Sequence, residues 1–294
     1  MKKVLYNTIA FLAICLSLTI TSCGGGGSDD DSGGGATVSA TTVSSAINGS
    51  EVFIEGRTVE LYVRWACDHE VTQGEYGQYC SQGGSSTSAY GAGNNYPVYN
   101  VSWYDALVYC NKRSIEEGLT PCYTISGSTN PSSWGSVPTT SNATWDAATC
   151  NFSANGYRLP TEAEWEYLAR GGNTSNMGQT TYSGSDTIEN VAWYTSNSGG
   201  KTHEVKKMTP NARGLYDMSG NVWEWCWDWY GVISTFSPSY GPSEGAYRTF
   251  RGGAFSRDLE SCSVYYRGNS DIYAKGTPSL RHPAIGFRVV RSAQ

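Results

Sequence analysis

Tryptophan recurs at every second position of Trp223-Glu-Trp-Cys-Trp-Asp-Trp229. A period of two belongs to an extended segment presenting one face. The most aromatic stretch of the chain is therefore expected to be a strand whose rings pack into a core. Each ring buries a large apolar area, which helps a chain poor in regular structure hold together. The remaining composition has that character: Gly accounts for 35 of the 294 residues, Tyr for 21 and Trp for 10, and only 16% are charged. So low a charge content argues against a coiled coil or a charged disordered tail. A formal net charge of −6 lacks the basic footprint that phosphates require, which argues against a nucleic-acid partner. His69, His203 and His282 form no metal-ligand pair at helical spacing.

Lys2 and Lys3 precede an apolar run over residues 4–20, then Thr21, Ser22 and Cys23. A basic start, a short apolar stretch and small residues describe an export signal over residues 1–22. The run is short for a membrane span. Cys23 resembles the acylated cysteine of a bacterial lipobox, which implies cleavage before Cys23 and lipidation of it. A protein anchored to the outer membrane, at the cell surface, is the corresponding expectation. Residues 23–36 contain GGGGSDDDSGGG, a flexible tether, and residues 37–294 are expected to form a single domain. Export permits disulfides. Cys122 and Cys150 bracket a Ser/Thr/Gly/Pro-rich insertion and are the first expected pair, Cys80 and Cys110 the second. Beyond Cys23 the number of cysteines is odd, so at least one thiol is free or pairs between molecules.

Residues 52–54 and 58–65 flank Glu55-Gly56-Arg57 and read as a β-hairpin. Thr72 with Glu75, and Thr161 with Glu164, are capping boxes that open helices, and Ser102 caps another. After Gly172 the pattern is short strands and loops. A few helices among many short strands predict an α+β fold.

Three blocks then carry a specific resemblance: residues 156–167, GYRLPTEAEWEY; residues 214–225, GLYDMSGNVWEW; and Arg251-Gly-Gly253 with Gly286-Phe-Arg288. Together they resemble the formylglycine-generating enzyme, or sulfatase-modifying factor, family across residues 50–292. The resemblance implies a C-type lectin-like fold of the formylglycine-generating-enzyme subclass, loop-rich with few short helices and strands. The oxidases of that family hold copper between two cysteines, four and nine residues after the Gly-Gly pair. Here those positions are Arg257 and Cys262. One thiol and a guanidinium cannot make a two-thiolate site, so no copper and no catalytic residues are expected; an oxidase with an altered copper site is the alternative. The family's calcium site falls on Asp217, the carbonyls of Gly220 and Val222, and Glu224, an all-oxygen set suited to a hard cation. The alternative is a carboxylate that hydrogen-bonds a turn. A second family site maps near Asn190, Val191, Asn197 and Gly199, where Asn197 replaces an acid.

Between framework residues of the C-terminal segment lie clusters of unlike chemistry. They also resemble the variable region of diversity-generating retroelement proteins, in which template adenines are mutated. The resemblance implies a ligand-binding region at about 251–291, with Ser256, Arg257, Asp258, Glu260, Ser261, Tyr265, Asn269, Asp271, Leu280, His282, Pro283 and Ala284 pointing outward. Tyr265 and Arg257 are expected near its centre, since Tyr and Arg anchor protein interfaces. The implied protein is a monomeric surface lipoprotein whose partner is a host or bacterial surface protein. A structural envelope lipoprotein without a diversified site is the remaining alternative.

Overall fold

The computed structural model describes residues 34–81, 83–84, 87–268 and 276–292. The export signal and Cys23 lie outside that range. The helices are α1 (Gln73–Tyr79), α2 (Trp103–Glu116), a one-turn α3 (Ala143–Asp146) and α4 (Glu162–Ala169). The helix starts inferred from sequence are all present. Thr72 with Glu75, Ser102 with Asp105, and Thr161 with Glu164 each form a reciprocal capping box, satisfying two otherwise orphaned backbone donors apiece. Among the described residues no helix is long and apolar enough to cross a membrane.

One antiparallel sheet has the spatial order Gly35–Thr37, Trp65–Cys67, Val290–Arg291, Tyr157–Arg158. It joins the two ends of the domain, and its first strand begins at Gly35, inside the segment read as tether. The expected hairpin does not form. Val59–Glu60 pairs with Thr42–Val43, and Trp65–Cys67 is flanked by Gly35–Thr37 and Val290–Arg291. Residues 50–53 instead form a turn in which Ser50 Oγ accepts from the Val52 and Phe53 amides. Strand-forming composition marks an extended segment but does not choose its partner.

The second sheet has the order Arg267–Gly268, Arg248–Arg251, Trp223–Trp229, Ile285–Gly286, with the last strand parallel to the tryptophan strand. Trp223, Trp225 and Trp227 project into one apolar cluster with Trp103, Tyr123, Phe250 and Phe287. Glu224, Cys226 and Asp228 face the other way and are also buried. Cys226 joins a second cluster around Trp165 and Leu168. The period of two is kept, but the polar face meets protein rather than solvent.

That polar face is ionic. Arg288 holds Glu224 through two bonds of 2.6 Å. On α4, Glu162 receives Arg267 at 2.6 Å, Glu164 receives Arg158 at 2.6 Å and Glu166 receives Arg251 at 2.5 Å. Buried charges require such partners. These Arg and Glu residues come largely from the three sequence blocks, so much of their content is a buried ionic framework.

The expected disulfides are absent: Cys80, Cys110, Cys122 and Cys150 are free thiols. Antiparallel pairing sets Tyr123, not Cys122, opposite Cys150. A one-residue offset sends neighbouring side chains to opposite faces, and the Cys122 thiol instead donates to the Gly156 carbonyl at 3.3 Å.

Candidate binding surface and carboxylate cluster

The C-terminal segment leaves the tryptophan sheet after Arg251, adds the edge strand Arg267–Gly268 and reaches the other edge at Ile285. Gly252 and Gly253 make the departure at φ of +98° and +78°, backbone that favours glycine. A Cβ on Gly253 would lie 2.5 Å from the Cys262 sulfur. The segment is then tied down: the Phe255 amide donates to the Asn221 carbonyl, and the Arg257 carbonyl accepts from Thr195. On the return, Arg281 makes a paired contact with Asp105 at the start of α2, 2.7 and 2.9 Å. The His282 carbonyl accepts from Asn100, and the Ala284 carbonyl from Trp223.

Between these anchors, Ser256, Asp258 and Glu260 are exposed, and Arg257, Leu280, His282 and Pro283 are half-buried. Burial and then the Arg257 guanidinium lower the His282 pKa, so Arg257 lies within electrostatic reach of His282. Ser261 and Ala284 do not point outward: both are buried. Ser261 sits in a short 3-10 turn, where its amide donates to Asp258. Ala284 lies on the last residue before the parallel strand. Tyr265 is 38% exposed, but its ring sits over the turn at Gly49, 3.8 Å from where a Cβ would stand there. Tyr266 is the ring beside Arg257, Asp258 and Glu260, whose charges act on its hydroxyl after the larger effect of burial. No sequence pattern separates it from Tyr265: residues 264–265 form a turn, so strand parity counted back from Arg267 does not apply to them. Leu259, 55% exposed, also joins the surface. Asn269 and Asp271 lie outside the described residues.

Cys262 is fully buried beneath this surface. Burial pushes its thiol up to about 12, so at neutral pH it is a protonated packing residue.

Asp217, Glu224 and a residue the sequence reading missed, Glu70, form a buried carboxylate cluster. Asp217 has φ of +56°. Its Oδ2 accepts from the Lys206 amide at 2.8 Å, while Oδ1 is buried without a hydrogen-bond partner. Burial pushes Asp217 up to about 6. Glu224 is neutralised by Arg288 and also accepts from Trp165 Nε1 at 2.7 Å. Glu70 accepts only from neutral groups, Asn221 Nδ2 at 2.8 Å and the Val222 amide at 3.2 Å. Burial and then the charges of Asp217 and Glu224 raise Glu70 well above the carboxylate range. The orphaned oxygen of Asp217 and the excess of carboxylates over Arg288 fit a hard cation. No spacing in the sequence signals Glu70, because it lies far from residues 217–224. At the second mapped site, Asn197 is consumed by its own turn through the Tyr194 amide and the Ala192 carbonyl. It brings no charge.

Cys67, Asp68 and His69 lie within 4.8 Å of one another, but Cys67 is disulfide-bonded and has no thiolate to offer. His69 is held between Asp68 and Glu75.

Residues 46–293 match the model of the sulfatase-modifying factor enzyme 1-like domain. The chain belongs to that family. It is 39% identical over 242 residues to chaperone protein LppX of Paenibacillus barcinonensis, covering 76% of this chain and 78% of that protein. Identity to the formylglycine-generating enzyme of Streptomyces coelicolor is 34% over 170 residues, spanning 52% of each chain. Among solved structures, Treponema denticola variable protein 1 aligns with a TM-score of 0.71 at 37% identity, covering 88% of this chain and 94% of that one. The fold is accordingly the C-type lectin-like fold of the formylglycine-generating-enzyme type, as the sequence blocks implied.

Proposed function

We propose that the protein is a surface lipoprotein whose C-terminal segment, about 251–291, is a ligand-binding site diversified by a retroelement. The observation that carries this reading is that residues 256–260 and 280–283 hold the exposed and half-buried side chains of a segment anchored at both ends, with Arg257 within electrostatic reach of His282. Arg257, Asp258, Glu260, Tyr266 and His282 form a patch of mixed charge, aromaticity and hydrogen bonding over a core fixed by Phe250, Trp223 and Cys262. The resemblance to Treponema denticola variable protein 1 supports the same reading. A patch of this breadth suits a protein ligand on a host or bacterial surface, bound by a monomer. Calcium at Asp217, with Glu224 and the carbonyls of Gly220 and Val222, is a structural ion in this proposal. No copper is involved, and the chain is not an oxidase. Arg257 at the first cysteine position and the protonated thiol of Cys262 support that part. Lipidation at Cys23 anchors the protein to the outer membrane.

The test is to sequence the chromosomal neighbourhood. A reverse transcriptase gene and an adenine-richer near-copy of the codons for 251–291 are expected. Their absence would leave a surface lipoprotein without a diversified site. A second reading is favoured by the 39% identity to LppX: a chaperone-like lipoprotein of the envelope. Suppression of aggregation of an unfolded client by a protein with residues 256–260 replaced would favour that reading instead.

A further inference from the structure

Away from this surface, a cavity of about 350 Å³ opens between the 50–54 turn and residues 230–233. Its wall includes Glu51, Ile54, Tyr230, Val232, Ile233 and Arg267. Arg267 is buried and held by several hydrogen bonds. Its Nε and Nη2 bind Glu162 at 2.6 and 2.7 Å, and its guanidinium lies 4.8 Å from the Tyr230 ring centre. Nη1 donates to the Gly231 carbonyl at 3.1 Å and to Glu51 Oε2 at 3.1 Å. The Glu51 side chain is 68% exposed. An ion pair so open to solvent is worth little, so Glu51 is a replaceable occupant of a fixed cationic donor.

The charge behind the donor also favours an anion. Arg57, Arg251 and Arg267 converge on Glu162, where Arg57 contributes through space and Arg251 at 3.4 Å, the latter being held chiefly by Glu166 at 2.5 Å. Asp228, a further carboxyl beside Glu162, is pushed up to about 8 by burial and by Glu162. The lining also carries the aliphatic side chains of Ile54, Val232 and Ile233, with Val232 91% exposed.

We infer that this cavity is a second binding site, for a small carboxylate with a short apolar body. The head group takes Arg267 Nη1 in place of Glu51, and the body lies against Ile54, Val232 and Ile233. Charge-assisted bonds to a preorganised guanidinium supply orientation, and the aliphatic side chains supply the remaining affinity.

The test uses 3-phenylpropanoate as probe and its uncharged amide as control, titrated onto the full chain by calorimetry and ligand-detected NMR. The acid is expected to bind and the amide not. Glu51→Gln removes the internal competitor and should tighten binding roughly two- to fivefold, the worth of an exposed ion pair. Val232→Asp, at a site too exposed to disturb folding, should weaken it. Arg267→Lys should abolish it, with circular dichroism reporting whether that variant folds. The proposal is overturned if neither wild type nor Glu51→Gln binds the acid. It is equally overturned if the amide binds as well as the acid, or if Glu51→Gln and Val232→Asp leave the affinity unchanged.

Discussion

His69 shows how far a single side chain is set by its neighbours. Burial alone would disfavour its charge, yet its bonds to Asp68 and Glu75 raise its pKa to about 9. Glu75 is correspondingly held at about 2 despite its burial, chiefly by His69. The sign follows from linkage: a group whose pKa is higher in the folded state binds its proton more tightly there. The contribution from His69 is therefore complete below about pH 6.5 and is lost as pH rises through about 9. It amounts to a few kcal/mol at most, on the order of ~1.4 kcal/mol per unit. Urea denaturation of wild type and His69→Gln should give a large difference at pH 6 and a small one at pH 10. A difference independent of pH would contradict the ion-pair account. At Gly253, backbone at φ of +78° and the adjacent Cys262 sulfur leave no room for a Cβ. Gly253→Ala should therefore cost about 2–4 kcal/mol, beyond the ~1 kcal/mol of an unfavourable backbone alone. The exposed residues of the proposed surface should behave otherwise. Joint replacement of Ser256 and Glu260 by Ala is expected to change stability by only about 0.5 kcal/mol per site. Ala284 belongs with the core: Ala284→Leu should cost about 1–3 kcal/mol through overpacking. Chemical denaturation of the two variants would separate these outcomes, and equal losses would show the surface assignment to be mistaken.

Among the elements, α4 has the densest role. Its eight residues are all buried, so it cannot be read as an amphipathic surface helix. Glu162 and Glu166 each carry an arginine from a distant strand, Glu164 one from the strand just before the helix, and Trp165 reaches Glu224. Removing one partner leaves a buried charge uncompensated, so Glu166→Gln should destabilise by about 3–5 kcal/mol. Replacing both Glu166 and Arg251 by apolar residues of similar volume should cost less. A double variant worse than the sum of its singles would argue against this account. Arg170 also binds Glu166, so the cycle must be read as that of a triad. The capping boxes of α1, α2 and α4 were legible from sequence because each is complete within four consecutive residues. The 52–65 hairpin was misread, since its true partners are Thr42–Val43, Gly35–Thr37 and Val290–Arg291, which no local rule selects.

For the whole molecule, the two proposed sites depend on how the chain ends return to the core. The carboxylate cluster joins Glu70, just before α1, to residues 217–224, and Asn221 carries its backbone contact onward to Phe255. If calcium binds there, its addition should raise the melting temperature and chelation should lower it. Asp217→Asn should remove most of the response, and a calcium-independent melting temperature in wild type would exclude the ion. Cys23→Ala should release the protein from membranes or block its processing; an unchanged membrane fraction with unchanged mobility would refute lipidation.

The sequence alone determined the family, the α+β class, the tryptophan strand and three helix starts. Those features are written in periodicity, in caps four residues long and in contiguous motifs. Tertiary structure alone decided that Tyr266 rather than Tyr265 faces the proposed surface, and that Ala284 and Ser261 are buried. It also set Cys122 and Cys150 out of register and brought Glu70 beside Asp217. Each of these turns on which residue stands opposite which across long sequence separations. A strand's parity flips with a single-residue slip, and a charge cluster has no local pattern before the chain folds.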